Sequence, residues 1–87
     1  MSEDKQLRVA EVIDLDGIMK QSGGRKFLAR LLQKTMFLES SFNPDSRVTA
    51  FNEGKREIGQ WLYREMREAN PGALKQILEA HDDGRNY

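Results

Sequence analysis

The chain has 87 residues, enough for one small domain, and is 38% hydrophobic and 32% charged, as expected of a globular protein with a lean core. It contains no cysteine, which excludes disulfides and cysteine-based metal sites. Fourteen acidic and fourteen basic residues cancel, so the chain as a whole is neither a basic DNA-coating protein nor an acidic decoy.

The first twenty residues show no clear apolar period and are predicted to form a polar arm or short helices. Asp14 is a candidate N-cap for a short helix that ends at Ser22-Gly23-Gly24, because glycine adopts the backbone of a helix stop at little cost. The apolar face of this short helix would consist of Leu15, Ile18 and Met19.

A second helix is predicted over residues 25–35, with an apolar stripe of Phe27, Leu28, Leu31 and Leu32. Residues 20–36 contain five bases and no acid, so the opposite side of this helix is strongly basic. The bases on it are Arg25, Lys26, Arg30 and Lys34. An apolar patch over residues 36–38 then leads into a turn.

The third helix is predicted from Pro44 or Asp45 to about Glu68, with Asn43 as its N-cap. Its apolar positions are Val48, Phe51, Ile58, Trp61, Leu62 and Met66. Gly54 and Gly59 lie inside it, and each costs roughly 1 kcal/mol relative to alanine. We therefore expect at least one of these glycines to admit a neighbouring helix closely.

Asn70-Pro71 repeats the Asn-Pro cap signal and predicts a fourth helix from Pro71 to about His81. Leu74, Ile77 and Leu78 should face inward, and residues 82–87 form a polar tail. The predicted fold class is all-α, a small three- to four-helix domain with a polar N-terminal arm and a C-terminal tail. Residues 1–87 form one domain, with a helical core over 24–81.

No catalytic, cofactor or metal site is predicted. His81, the only histidine, has no nucleophile at a recognisable spacing and is interpreted as a surface residue near a helix C-terminus. Asp14 and Asp16 resemble the start of a calcium loop, but the remaining ligand positions fail. Asp82 and Asp83 are interpreted as a solvated helix end. The Ser-Gly-Gly turn at 22–24 opens a basic helix but lacks the pattern of a phosphate-binding loop.

Partner-binding candidates lie on the two central helices. The basic helix contributes Arg25, Lys26, Arg30 and Lys34, which pair within the fold or stay solvated, contact an acidic protein, or, less favoured, meet nucleic acid. Arg25 lies at a helix start, where the dipole disfavours a cation, so a compensating anion is expected. The third helix contributes Gly54, Arg56, Gly59 and Trp61.

Three strings of the sequence resemble a family of small proteins of tailed bacteriophages, the Bordetella-phage small-protein family. They are GRKFLARLL over 24–32, SSF over 40–42 and AFNEGKREIGQWL over 50–62, within a resemblance covering roughly 23–80. The matching positions are Gly24, Arg25, Phe27, Leu32, Phe42, Phe51, Gly54, Arg56, Gly59 and Leu62. The family's genes tend to lie near portal and capsid genes, and no enzymatic activity is assigned to it. The resemblance implies phage origin and a virion or assembly role.

The expected function is that of a small non-enzymatic phage protein, a virion-associated or assembly component acting through protein–protein contacts. The suspected partners are portal, capsid or internal virion proteins, and a homo-oligomer is a further option. The alternatives are a phage protein that inhibits a host enzyme, or a nucleic-acid accessory protein that uses the basic helix 25–34. No apolar run approaches the roughly 18 residues of a membrane segment, and the polar N-terminus is not a secretory signal. The expected location is the host cytoplasm, the virion or both.

Overall fold

A computed structural model describes residues 2–35, 40 and 42–82, with only the backbone described for 80–82. These residues form four α-helices and no strand, which confirms the all-α fold class. The helices are α1 (Glu3–Met19), α2 (Ser22–Lys34), α3 (Ser46–Ala69) and α4 (Pro71–Asp82). The predictions made for residues 36–38, for the side chains of His81 and Asp82, and for the tail from Asp83 onward fall outside the described residues.

The N-terminal segment is one continuous helix of 17 residues, so the prediction of an arm or of short helices over residues 1–20 was wrong. Ser2 is its N-cap, and the Ser2 hydroxyl accepts a hydrogen bond from the backbone N–H of Lys5 at 3.4 Å. Glu3 and Asp4 place negative charge in the first turn, where the helix dipole favours it. The helix does not restart at Asp14, because α1 packs against α3 on both sides of that residue, from Arg8 to Ile18, and this packing stabilises one continuous helix.

Helix α2 begins at Ser22, three residues earlier than predicted, so the Ser-Gly-Gly segment forms its first turn. At the junction with α1, Gly24 lies against the backbone of Ile18. A Cβ added to Gly24 would overlap the carbonyl oxygen of Ile18 and lie 2.9 Å from its Cγ2. The absence of a side chain at position 24 therefore permits the tight turn between α1 and α2.

Helix α3 begins at Ser46, one or two residues later than the predicted start at Pro44 or Asp45, because the capping role falls to Asp45 rather than Asn43. The Asp45 carboxylate accepts a hydrogen bond from the backbone N–H of Arg47 at 2.9 Å. This backbone hydrogen bond and the Arg47 guanidinium hold the pKa of Asp45 below its ordinary value. The predicted cap of α4 is confirmed, since Asn70 Oδ1 accepts from the N–H of Ala73 at 3.0 Å.

The core lies where α2 packs on α4 and where the ends of α1 and α3 meet them. Its buried residues are Met19, Leu28, Ala29, Leu32, Leu62, Met66, Ala73, Leu74 and Ile77. The inward positions predicted for α4 are confirmed, with Leu78 half-buried. Of the six apolar positions predicted on α3, only Leu62 and Met66 are buried.

The fold is flat, with principal extents of 48 × 33 × 15 Å. Its radius of gyration is 14.7 Å, against about 12 Å expected for a compact chain of this length. The N-terminal half of α3 holds none of the buried core residues, although Gly59 at its midpoint is buried. The apolar side chains of that half, Val48 and Phe51, are consequently exposed to solvent.

Candidate protein-interaction site

The outer face of α2 carries a row of cations beside an exposed aromatic ring. Lys26, Arg30 and Lys34 are exposed and follow one another at four-residue spacing. Phe27, predicted to face inward, is 54% exposed instead, and the Arg30 guanidinium lies 5.8 Å from its ring centroid. Three of the four basic candidates thus share one face with an aromatic side chain.

Arg25 is directed away from that row. Its guanidinium donates a hydrogen bond to the backbone carbonyl of Met19 at 2.9 Å, in a partly buried position. The expected compensating group is therefore the C-terminal end of α1, where the helix dipole is negative, and not a carboxylate. Arg25 joins α1 to α2.

We expect Arg25→Lys and Arg56→Lys each to lower the melting temperature more than Lys34→Ala does. For Arg25 the loss should be about 1 kcal/mol, because a lysine does not reproduce the placed guanidinium donor. Thermal melting followed by circular dichroism checks this. If Lys34→Ala proves the most damaging of the three substitutions, Arg25 and Arg56 are ordinary surface charges.

Helix α3 displays an apolar stripe toward solvent. Phe51 is 67% exposed, Ile58 57% and Trp61 54%. Gly54 falls on the same stripe and faces open space, with no atom within 4 Å of an added Cβ. Gly54 therefore admits no neighbouring helix within this chain. Of the two glycines in the prediction, Gly59 is the buried one.

A groove of about 300 Å³ runs between α1 and α3 at one end of this stripe. Apolar side chains of both helices line the groove, and carboxylates lie at its rim. The apolar members are Leu15, Ile18, Trp61 and Leu62, and the acidic members are Glu11, Asp14 and Glu65. Trp61, a predicted partner-binding residue, is thus part of an apolar groove with an acidic rim.

A second hollow, of about 460 Å³, lies on α3 itself and is lined by Ala50, Glu53, Gly54, Arg56, Glu57 and Gln60. It brings together two predicted candidates, Gly54 and Arg56. Arg56 Nε is buried and has no hydrogen-bond partner among the described residues.

Helix α1 is held to α3 by an ion-pair cluster. The guanidinium of Arg8 donates to both carboxylate oxygens of Glu65, at 2.7 and 2.6 Å, and also to Glu68. Hydrogen bonding to Arg8 lowers the pKa of Glu65, and the two carboxylates raise the pKa of Arg8. Because this cluster covers α3 at Glu65, the exposed part of the stripe ends near Trp61.

Asp16 makes a second link between elements. Its carboxylate accepts from the ammonium of Lys20 at 2.9 Å and from the side-chain amide of Asn70 at 2.9 Å. These two donors, Lys20 foremost, hold the pKa of Asp16 below its ordinary value. Asp16 therefore has a structural role. In the described part of the chain, no three histidine or carboxylate side chains gather closely enough to hold a metal ion.

Sequence reasoning missed Arg8, Phe27, Phe51 and Ile58 as surface or docking residues. No local spacing connects Arg8 to Glu65, because 57 positions separate them. The sequence of α3 did contain a weak sign of a second, exposed apolar stripe beside the buried one. The spacing of three and four residues that marks it is found at Phe51, Gly54, Ile58 and Trp61.

A family model described as Bbp19-like phage protein matches residues 15–79, about three quarters of the chain. The chain belongs to this phage protein family. The matched region contains α2, α3 and most of α4, and with them the basic row, the apolar stripe and the acidic groove except for Glu11 and Asp14. Arg8 lies before the matched region, whereas its partners Glu65 and Glu68 lie within it, so the match covers only the α3 side of the ion-pair cluster.

The chain matches no curated protein and no solved structure. Along the described residues, no helix combines the length and the apolar character required to span a bilayer.

Proposed function

We propose that this member of the phage family is a non-enzymatic virion or assembly component that acts by contacting a larger particle protein. The observation that supports this is the amount of apolar surface left open. Ten large hydrophobic side chains in the described part of the chain are at least 39% exposed, against a core of nine residues. Apolar exposure on this scale is typical of protein interfaces.

The face of α2 offers the most defined contact for such a partner. Phe27 is an exposed aromatic anchor with the Arg30 guanidinium beside its ring, and Lys26 and Lys34 extend the positive charge along the same face. A central aromatic residue with a polar rim is the usual arrangement of an interface hot spot. The complementary surface is an apolar pocket edged with carboxylates on a portal, capsid or internal particle protein. This role would place the protein in the host cytoplasm during assembly, in the virion, or in both.

Quantitative mass spectrometry of purified particles and assembly intermediates tests this function in the phage that encodes the chain. We expect the protein at a constant ratio to the capsid protein, and a Phe27→Ser variant at less than a tenth of that ratio. Lys75→Ser, an exposed substitution on α4, is the matched control and should be incorporated normally. Melting curves of both variants establish that they fold.

Two other results would contradict the proposal and identify its competitors. Absence from all particles, with early expression and a stoichiometric complex with a host enzyme, would assign the protein to host inhibition. DNA binding that falls steeply with salt, and is removed by replacing Lys26, Arg30 and Lys34 with alanine, would assign it to nucleic-acid contact.

A further inference from the structure

The residues of the exposed stripe of α3 are spaced symmetrically about position 56, with an aromatic residue at each end. Phe51 and Trp61 lie five residues before and after Arg56, and Gly54 and Ile58 lie two residues before and after it. All four fall on one face at the alternating spacing of a helix seam. A reversed copy of the helix therefore presents an aromatic residue to each aromatic residue and a bulky residue to each glycine.

We propose that α3 pairs antiparallel with α3 of a second copy of this chain, about a twofold axis that crosses the stripe at the level of position 56. Ile58 of each copy then fills the open space over Gly54 of the other, and Phe51 packs against Trp61. Such an interface is isologous, so both copies use the same residues. The proposal is independent of the virion role, because it concerns the purified protein alone.

The charges around the stripe complement one another in this arrangement. Phe51 reaches the end of the second copy's groove, whose rim carries Glu11 and Asp14. It brings two cations with it. The ammonium of Lys55 lies 5.2 Å from the Phe51 ring centroid, and the side chain of Arg47 is 91% exposed, with its guanidinium 3.4 Å from the carboxylate of Asp45. Basic residues beside the inserted ring thus meet an acidic rim, twice per dimer.

The opposite orientation lacks this match. In a parallel pairing each residue faces its own copy, so Gly54 would face Gly54 and the cations beside Phe51 would face each other. In the antiparallel pairing only Lys55 and Glu57 flank the axis, and Lys55 is drawn back over the Phe51 ring. The packing ends at Trp61, because α1 already lies over α3 at Glu65.

Sedimentation velocity over a concentration series, combined with the emission of Trp61, tests the pairing. Trp61 is the only tryptophan, so its emission reports directly on the interface. We expect the mass to double with rising concentration and the emission maximum to shift to the blue in parallel. Phe51→Ser should raise the dissociation constant at least tenfold, whereas Phe27→Ser, an equally drastic change on α2, should leave it unchanged.

A charge exchange fixes the orientation. Lys55→Glu and Asp14→Lys should each weaken association at least tenfold, and the double variant should regain most of the loss. Helical circular dichroism and the melting temperature of each variant verify folding. A monomer at every concentration, equal effects of Phe51→Ser and Phe27→Ser, or a double variant no better than the single ones would overturn the proposal.

Discussion

Replacing Gly24 by alanine should destabilise the fold by about 1–3 kcal/mol, although alanine favours helices more than glycine does. The new methyl group would overlap the carbonyl oxygen of Ile18, which is a backbone atom that cannot rotate away. Relief of the clash requires α1 and α2 to separate, which loosens the packing around Met19. In a domain of this size each kcal/mol corresponds to about 4–8 °C in melting temperature.

Gly23→Ala is the matched control for this prediction. Gly23 precedes Gly24 in the same helical turn, but no atom lies within 4 Å of a Cβ added there. The control should be neutral or stabilising by up to about 1 kcal/mol, since only the helix preference changes. Equal melting temperatures for the two variants would show that the junction is not closely packed at Gly24.

Replacing Arg8 by alanine should release α1 from α3. The substitution removes the two-pronged pair with Glu65 and leaves that largely covered carboxylate without its cation. We expect a lower melting temperature than for the control Lys75→Ala, together with faster amide hydrogen exchange in the first half of α1. Arg8→Lys should recover only part of the loss, because an ammonium does not offer the paired donors of a guanidinium. Amide hydrogen exchange in α1 that does not change on Arg8→Ala would contradict this role of the Arg8 ion pairs.

The ion pair between Arg8 and Glu65 also predicts that the stability of the fold depends on pH. The pKa of Glu65 in the fold is below its ordinary value of 4.5, mainly because Arg8 donates hydrogen bonds to the carboxylate. The unfolded chain therefore binds the proton at higher pH than the folded one, so this stabilisation is complete above about pH 5 and is lost on acidification. Melting of wild type and Glu65→Gln should differ most at pH 7 and converge as the pH falls well below 4.5. A difference in melting temperature that stays constant with pH would exclude this contribution of Glu65. Asp16 and Asp45, whose pKa values are also lowered, are present in both proteins, so their effect cancels in the comparison.

Local signals located most of the helical structure. The cap at Asn70 and the inward positions Leu74 and Ile77 follow from interactions within a turn or two of the helix, and these are readable in the sequence. The same signals misplaced the start of α3, because Asn43 and Asp45 are both capping residues. The Asp45 carboxylate accepts from the backbone N–H of Arg47 in the first turn, whereas the side-chain oxygen of Asn43 accepts from the N–H of Asp45 before the helix begins.

The surfaces were harder to predict, because a helical period states which residues share a face and not whether that face is covered. Phe27 and Phe51 look like core residues by spacing, yet no element of the described fold encloses them. They are candidate contact residues because they are aromatic and exposed, and their exposure follows from the packing of α2 on α4 and of α1 on α3.

The sequence by itself determined the all-α class, the cap of α4, the basic character of α2 and the family strings, since each rests on residues within a few positions of one another. The tertiary structure alone decided the rest. It joined Arg8 to Glu65 across 57 residues, placed Gly24 against Ile18, and left the N-terminal half of α3 uncovered. These outcomes depend on the path of the whole chain, because burial and long-range ion pairs are set by which helices meet and at what offset.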